Sequence, residues 1–180
     1  MTKIEKIRGH LHTINQHKAK VTWLCWRCGL YKQGILHDLS KYSYIELKTG
    51  FTYYQGFRSP IDAQKEEIGY SLSWLHHKGR NKHHWEYWLD NSAQGVIAVE
   101  MPVNYVVEMF CDRVAASMIY QKDQYTDSSA LDYYENGRQR ILIHPKTDQL
   151  IHHLLVHLSL HGLDDTIEYI RKDILKGNHY

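Results

Sequence analysis

With 180 residues the chain is long enough for one domain with a full core, and a formal charge of +2 leaves no basic field for nucleic acid. No apolar run approaches the length of a bilayer, and Met1 to His10 lacks the apolar centre of a signal peptide, so a cytoplasmic protein is expected. The anomaly is histidine, with 14 residues, set in a composition of only 3 Pro and 11 Gly that favours an ordered, mostly helical, all-α domain.

Residues 3 to about 28 carry Ile4, Ile7, Leu11, Ile14, Val21, Leu24 and Cys28 at helical spacing, with His10, His12 and His17 on the same segment. Gly29 is its natural end. Cys25 and Cys28 form a single Cys-x-x-Cys without a second pair, which reads as reduced, packed thiols and not as a zinc ribbon. A second helix is predicted over Leu30–Tyr42, followed by a loop from 43 to 58 that contains Gly50 and Gly56. Ser59-Pro60 is a helix start, with a capping hydroxyl, proline at the first helical position and Asp62 in the first turn. That helix is expected to run toward Leu75.

Gly79 should interrupt the run Trp74-Leu75-His76-His77-Lys78-Gly79-Arg80-Asn81-Lys82-His83-His84-Trp85. A helix is predicted from near Pro102 to Tyr120, with Val103, Val106, Val107, Phe110, Val114 and Met118 on its apolar face; Glu108 and Asp112, four apart, share another face. Residues 121 to 137 look partly like loop. Two last helices, about 147–161 and 165–175, are separated by Gly162.

The chemistry concentrates in Gly34-Ile35-Leu36-His37-Asp38-Leu39-Ser40-Lys41. An imidazole and a carboxylate side by side are ligands for iron, manganese, zinc, nickel or cobalt, and such ions activate a bound water. His76, His77, His83 and His84 could serve a second ion, since imidazoles seven apart lie on one face of a helix; His77 with His83 or His84 is the preferred set. His153, His157 and His161 repeat every four residues but adjoin no carboxylate partner, so they read as a partly exposed face. Phosphate oxygens need cationic or hydrogen-bonding groups, and Lys41, Lys78, Arg80, Asn81 and Lys82 stand inside the two motifs.

His17-x-x-x-Val21, the run through His37-Asp38 to Lys41, and an aspartate on a much later helix together resemble the HD-domain superfamily of metal-dependent phosphohydrolases. The resemblance implies an HD-like helical bundle in which His17, His37, Asp38 and Asp112 hold a metal, with His12 the alternative first ligand. In members with two ions, histidines between the doublet and the last aspartate join, here from the 76 to 84 segment. Residues 69 to 88 are also similar to a family of bacterial and phage proteins of unknown function. The expected activity is hydrolysis of a small phosphate ester, a nucleotide among the candidates, with one or two divalent transition-metal ions. Asp38, Lys41 and Arg80 would act at the reacting centre, and Lys78, Arg80, Asn81 and Lys82 would bind substrate. The alternatives are a di-iron oxygenase of the same fold and a non-catalytic protein stabilised or regulated by its metal.

Overall fold

The computed structural model describes residues 1–176 and is all-α apart from one small hairpin. The helices are α1 (Lys3–Cys28), α2 (Tyr31–Leu36), α3 (Tyr44–Tyr53), α4 (Pro60–Ile68), α5 (Leu72–Lys78), α6 (Val103–Gln121), α7 (Ser129–Arg138) and α8 (Pro145–Tyr169). Strands β1 (Leu89–Ser92) and β2 (Gly95–Ala98) pair antiparallel, with Leu89 opposite Ala98. No helix among the described residues is long and apolar enough to cross a membrane.

The long helices are set by their ends and their apolar faces. Thr2 accepts from the Glu5 amide, and Glu5 accepts from the Thr2 amide, a reciprocal cap that satisfies two otherwise free donors. Gly29, at φ 90°, turns the chain out of α1. Val21 and Leu24 of α1, Val107, Phe110 and Val114 of α6, and Leu154 and Leu158 of α8 form the centre of the core, all fully buried. Removing the Phe110 ring would cost about 3–5 kcal/mol on the scale of such truncations. Cys25 and Cys28 are free and buried as expected, and Cys111 is free and buried beside them, its Sγ 3.9 Å from Cys28 Sγ.

Several expected boundaries are corrected. Residues 44–53 are helix, not loop: Gly50 allows close approach instead of a turn, since a Cβ there would lie 2.0 Å from His10 Nε2. The helix begun at Pro60 stops at Ile68, where Gly69 takes φ 85°, and Ser71 caps a new helix, α5. Residues 129–138 are helical, and the two helical stretches expected on either side of Gly162 are present within α8, meeting across a non-helical Gly162 (φ 78°, ψ 175°). The hairpin was not anticipated, because its strands are four residues each and largely exposed.

The second helix is shorter than predicted, and this shapes the site. It ends at Leu36; His37 is extended (φ −50°, ψ 128°), Asp38 is left-handed (φ 54°, ψ 26°), and Leu39–Tyr42 form a 3₁₀ turn. Side chains of α1 take the carbonyls that this break releases: Lys18 Nζ donates to Ile35 O (2.7 Å) and His37 O (2.8 Å), and Thr22 Oγ1 donates to Gly34 O (2.7 Å). Aspartate is among the few residues that adopt the left-handed region at modest cost.

Candidate metal centre

The break at His37-Asp38 removes a difficulty in the sequence. Two neighbours on a helix would diverge by roughly 100°, whereas here both side chains enter one interior space, with His37 Nε2 3.2 Å from Asp38 Oδ2. From α1, His17 places Nε2 3.8 Å from the same oxygen. From α6, Asp112 Oδ1 lies 2.9 Å from His17 Nε2 and 3.4 Å from His37 Nε2. His17, His37, Asp38 and Asp112 thus form one group whose ligand atoms all lie within 4.8 Å of one another. His12 is exposed and takes no part. Arg113 stacks over Tyr134 instead of pairing with Asp112.

The second group forms on the other oxygen of Asp38. His77 Nε2 is 3.3 Å and His83 Nε2 3.5 Å from Asp38 Oδ1, and His84 completes the set within the same 4.8 Å limit. These imidazoles do not share a helix face as the seven-residue spacing suggested. Helix α5 ends at Lys78, and the chain turns back through Asn81, whose backbone amide (3.1 Å) and side-chain Nδ2 (2.8 Å) both donate to His77 O. The turn, not a helical stripe, brings His83 and His84 beside His77. A third group, His37, His83 and Glu108, joins the two from behind, and His76 stays outside all three.

Two glutamates without an assigned role in the sequence hold the imidazoles from behind. Glu108 Oε1 accepts from His37 Nδ1 (2.9 Å) and lies 3.1 Å from His83 Nδ1, within ion-pair distance. Glu46 of α3 accepts from Nδ1 of His76 (2.7 Å) and of His77 (2.9 Å). For His37, His77 and His83 a carboxylate on the Nδ1 side leaves Nε2 facing the centre, the arrangement that orients histidine ligands in metal sites. Glu108 had a legible signal, its place one turn before Asp112. Glu46 has none, because it lies in the segment whose glycines and aromatics suggest a loop.

Buried polar atoms ordinarily find partners. Here Nε2 of His37, His83 and His84 and both oxygens of Asp38 are buried without a hydrogen bond of good geometry. They come from two segments, 37–38 and 83–84, and converge on one region that His17, His77 and Asp112 also enter, so the residues present fit one or two cations. Ligands on one ion lie about 2 Å from it, and atoms already within 4.8 Å of one another need little movement to meet that distance.

The charges of the cluster agree. Burial would raise the carboxyl pKa of Asp38, but His37 and Lys41 outweigh it and hold it well below the usual carboxylate range. Asp112 is held down against burial by the hydrogen bond from His17 and by the His37 imidazole 3.4 Å away, and Glu108 is pulled to about 2 by His37 and His83. Burial would discharge His37, yet Asp38, Asp112 and Glu108 raise it well above its ordinary value. Burial likewise opposes His77, which Asp38 and Glu46 push up to about 9. Burial, and then neighbouring positive charge, lowers His17 and His84. Without metal, protons supply the positive charge the carboxylates require.

Lys41 Nζ is 2.7 Å from Asp38 Oδ2, and the negative charge of Asp38 and Asp112 raises its pKa against the effect of burial. Among the described residues it is the one lysine or arginine within ion-pair distance of Asp38, Asp112, Glu46 or Glu108. The side chains of Lys41 and Asp112 keep 24% and 18% exposure against 2% for Asp38, so the centre faces solvent on their side.

The expected substrate residues of the second motif separate from this centre. Arg80 is exposed and its guanidinium turns back to His76 O (3.4 Å), so nothing holds it at the reacting position expected of it. Lys82 is exposed and lies over the rings of Tyr87 (5.8 Å) and Tyr105 (5.7 Å). Lys78 makes no ion pair with the cluster carboxylates. Asn81 is buried and its Nδ2 is spent on His77 O and Ser40 Oγ (2.8 Å each), which makes it a brace for the turn. The His153, His157 and His161 rings line up along α8, where His153 meets Tyr169 and His157 meets Thr166.

Residues 6–157 match a family described as a family of unknown function, DUF5662. That match carries no activity and makes no connection to the HD superfamily. No curated protein and no solved structure matches the chain.

Proposed function

The chain belongs to the DUF5662 family, and from that premise we propose that this member is a metal-dependent phosphohydrolase of HD type acting on a small phosphate ester, a nucleotide among the candidates. The observation that carries the reading is Asp38: a single buried carboxylate whose two oxygens face two separate sets of imidazole nitrogens. His17, His37 and Asp112 would complete one cation position, and His77, His83 and His84 the other. Divalent cations, when bound, supply Lewis acidity toward a phosphoryl oxygen and lower the pKa of water toward neutrality. Iron, manganese, cobalt, nickel and zinc all suit this mixed nitrogen and oxygen donor set.

The residues of the chain do the rest. Asp38, fixed in a left-handed conformation, holds both oxygens toward the centre. Glu108 and Glu46 keep the Nδ1 protons of their histidines and so keep the Nε2 lone pairs pointed inward. Lys41, at the exposed rim, presents an ammonium for the non-bridging oxygens of a phosphate. Arg80, Lys78 and Lys82 lie outside the centre and could meet only a more distant part of the substrate.

The test begins with elemental analysis of the purified protein. A screen of phosphomonoesters and nucleotides follows, with Mn²⁺, Fe²⁺, Co²⁺, Ni²⁺ or Zn²⁺ added to chelator-stripped protein. Metal-restored phosphate release supports the reading. Bound iron with oxygen consumption and no phosphate release would favour the di-iron oxygenase, and tightly bound metal with neither activity would favour a structural role.

A further inference from the structure

The two cation positions are tied together twice, once by Asp38 and again from behind by Glu108. We propose that Glu108 is a positioning residue that couples the two positions, so that filling one pre-orients a ligand of the other. The inference rests on the reading of the cluster as a two-ion centre.

The geometry is a closed circuit. Asp38 Oδ2 faces His37 Nε2 at 3.2 Å, and His37 Nδ1 meets Glu108 Oε1 at 2.9 Å. The same Oε1 meets His83 Nδ1 at 3.1 Å, and His83 Nε2 returns to Asp38 Oδ1 at 3.5 Å. His37 belongs to the group with His17 and Asp112, and His83 to the group with His77 and His84. The two rings lie 4.4 Å apart, centroid to centroid, tilted by 35°. One carboxylate oxygen therefore sets the rotation of one imidazole from each group.

Glu108 is itself held. Gln33 Nε2 donates to Oε2 at 2.9 Å and also to Asn104 O at 3.1 Å, and no lysine or arginine of the described residues reaches this carboxylate. An ionised carboxylate is acceptor only, so Oε1, bonded to His37 and 3.1 Å from His83 Nδ1, and Oε2, bonded to Gln33, leave little freedom to the group. Twisting His37 must shift Oε1 and with it the acceptor of His83. The partner glutamate differs in this respect. Glu46 holds His76 and His77, neighbours on one helix, and only His77 belongs to a cation group. Glu46 can therefore tune one position, whereas Glu108 tunes both.

The comparison of the two glutamates gives the test. Chelator-stripped full-length protein is titrated with Mn²⁺, free ion being counted by its electron paramagnetic resonance signal, and thermal stability of the stripped forms is measured alongside. The wild type should take up two equivalents cooperatively, with a spin-coupled pair signal. Glu108→Gln removes the charge and one of the two good acceptor geometries. It should weaken both uptake steps, by about 10–100-fold as loss of an outer carboxylate does, and abolish the cooperativity. Glu46→Gln should weaken one step only. Gln33→Leu, which leaves the Glu108 charge in place and frees only Oε2, should reduce cooperativity with a smaller loss of affinity, and it serves if Glu108→Gln folds poorly. Weakening of a single step in Glu108→Gln, or unchanged cooperativity in both Glu108→Gln and Gln33→Leu, would overturn the coupling while leaving the two-ion centre intact. Uptake of one equivalent by the wild type also overturns it, leaving a mononuclear site. No uptake at all removes the functional reading itself.

Discussion

Protonation of the metal-free cluster makes a stability prediction with a definite sign. His77 is pushed from an ordinary 6.5 to about 9 because Asp38 and Glu46 outweigh the effect of burial. The folded state therefore holds a proton that the unfolded state has released between those two values. A group with a raised folded pKa contributes fully below its unfolded pKa and loses that contribution as pH rises through the folded one. The difference is about 2.5 pH units, and at roughly 1.4 kcal/mol per unit the proton on His77 stabilises the metal-free fold by roughly 3 kcal/mol. His77 is 2% exposed, so no large solvent discount applies, and His37 is shifted in the same direction. Urea unfolding of chelator-stripped protein at pH 6.5, 7.5 and 9 should show a falling midpoint, with the slope reduced in His77→Gln. Metal-loaded protein should show the opposite trend, since metal competes with protons for the same nitrogens. A stripped protein whose midpoint is flat or rises across that window would refute this account of the cluster's charge.

Other perturbations test other parts of the structure. Asp112→Asn keeps shape while removing charge, and should release one metal equivalent by elemental analysis with the circular dichroism spectrum unchanged; retention of all metal would make Asp112 an ordinary ion-pair partner, worth under about 1 kcal/mol. Gly50→Ala would gain about 1 kcal/mol of helix propensity, but its Cβ falls 2.0 Å from His10 Nε2 and 2.3 Å from Cδ2. Overpacking of that kind costs about 1–3 kcal/mol, so thermal denaturation should show net destabilisation, relieved in the His10→Ala, Gly50→Ala double variant; an unchanged or raised midpoint in the single variant would contradict it. Asp148 receives Arg138 Nη2 at 2.7 Å and Tyr134 OH at 2.6 Å. Its pKa lies below the usual carboxylate value because hydrogen bonds from Arg138 and Tyr134 outweigh a raising effect of burial. Asp148→Asn should cost about 1 kcal/mol at neutral pH, and the difference from wild type should vanish as acid protonates the carboxylate.

The parts of the fold that a sequence can reveal are those whose signals are local. Helix α1 repeats its apolar residues at helical spacing between a capping box and a left-handed glycine, and its predicted limits agree with Lys3–Cys28. Ser59-Pro60 marked the start of α4 for the same reason. The loop expected at 43–58 holds only from 54 onward; over 44–53 glycine signals a turn, when Gly50 is small for the sake of a neighbour 40 positions away. The His-Asp doublet is legible as a candidate ligand pair, but not its break from the helix, which Lys18 and Thr22 of another helix make possible. The seven-residue spacing of the second histidine group was informative for a wrong reason: a turn braced by Asn81, not a helix face, collects those rings. Glu46 and Glu108 show the limit most plainly, since a residue that acts through another side chain has no spacing of its own to recognise.

The contact of His17 with Asp112 spans 95 positions of the chain. An ion held by both would be a reversible clasp across that length, and one that forms only after α1 and α6 have docked. It would contribute nothing to early collapse and would act wholly on the finished fold, slowing its opening. Ion present at about 1,000 times its dissociation constant would add roughly 4 kcal/mol to the folded state. A protein stabilised in this way is a gauge of the metal around it, because withdrawal of the ion exposes it to proteolysis before any change in its synthesis is needed.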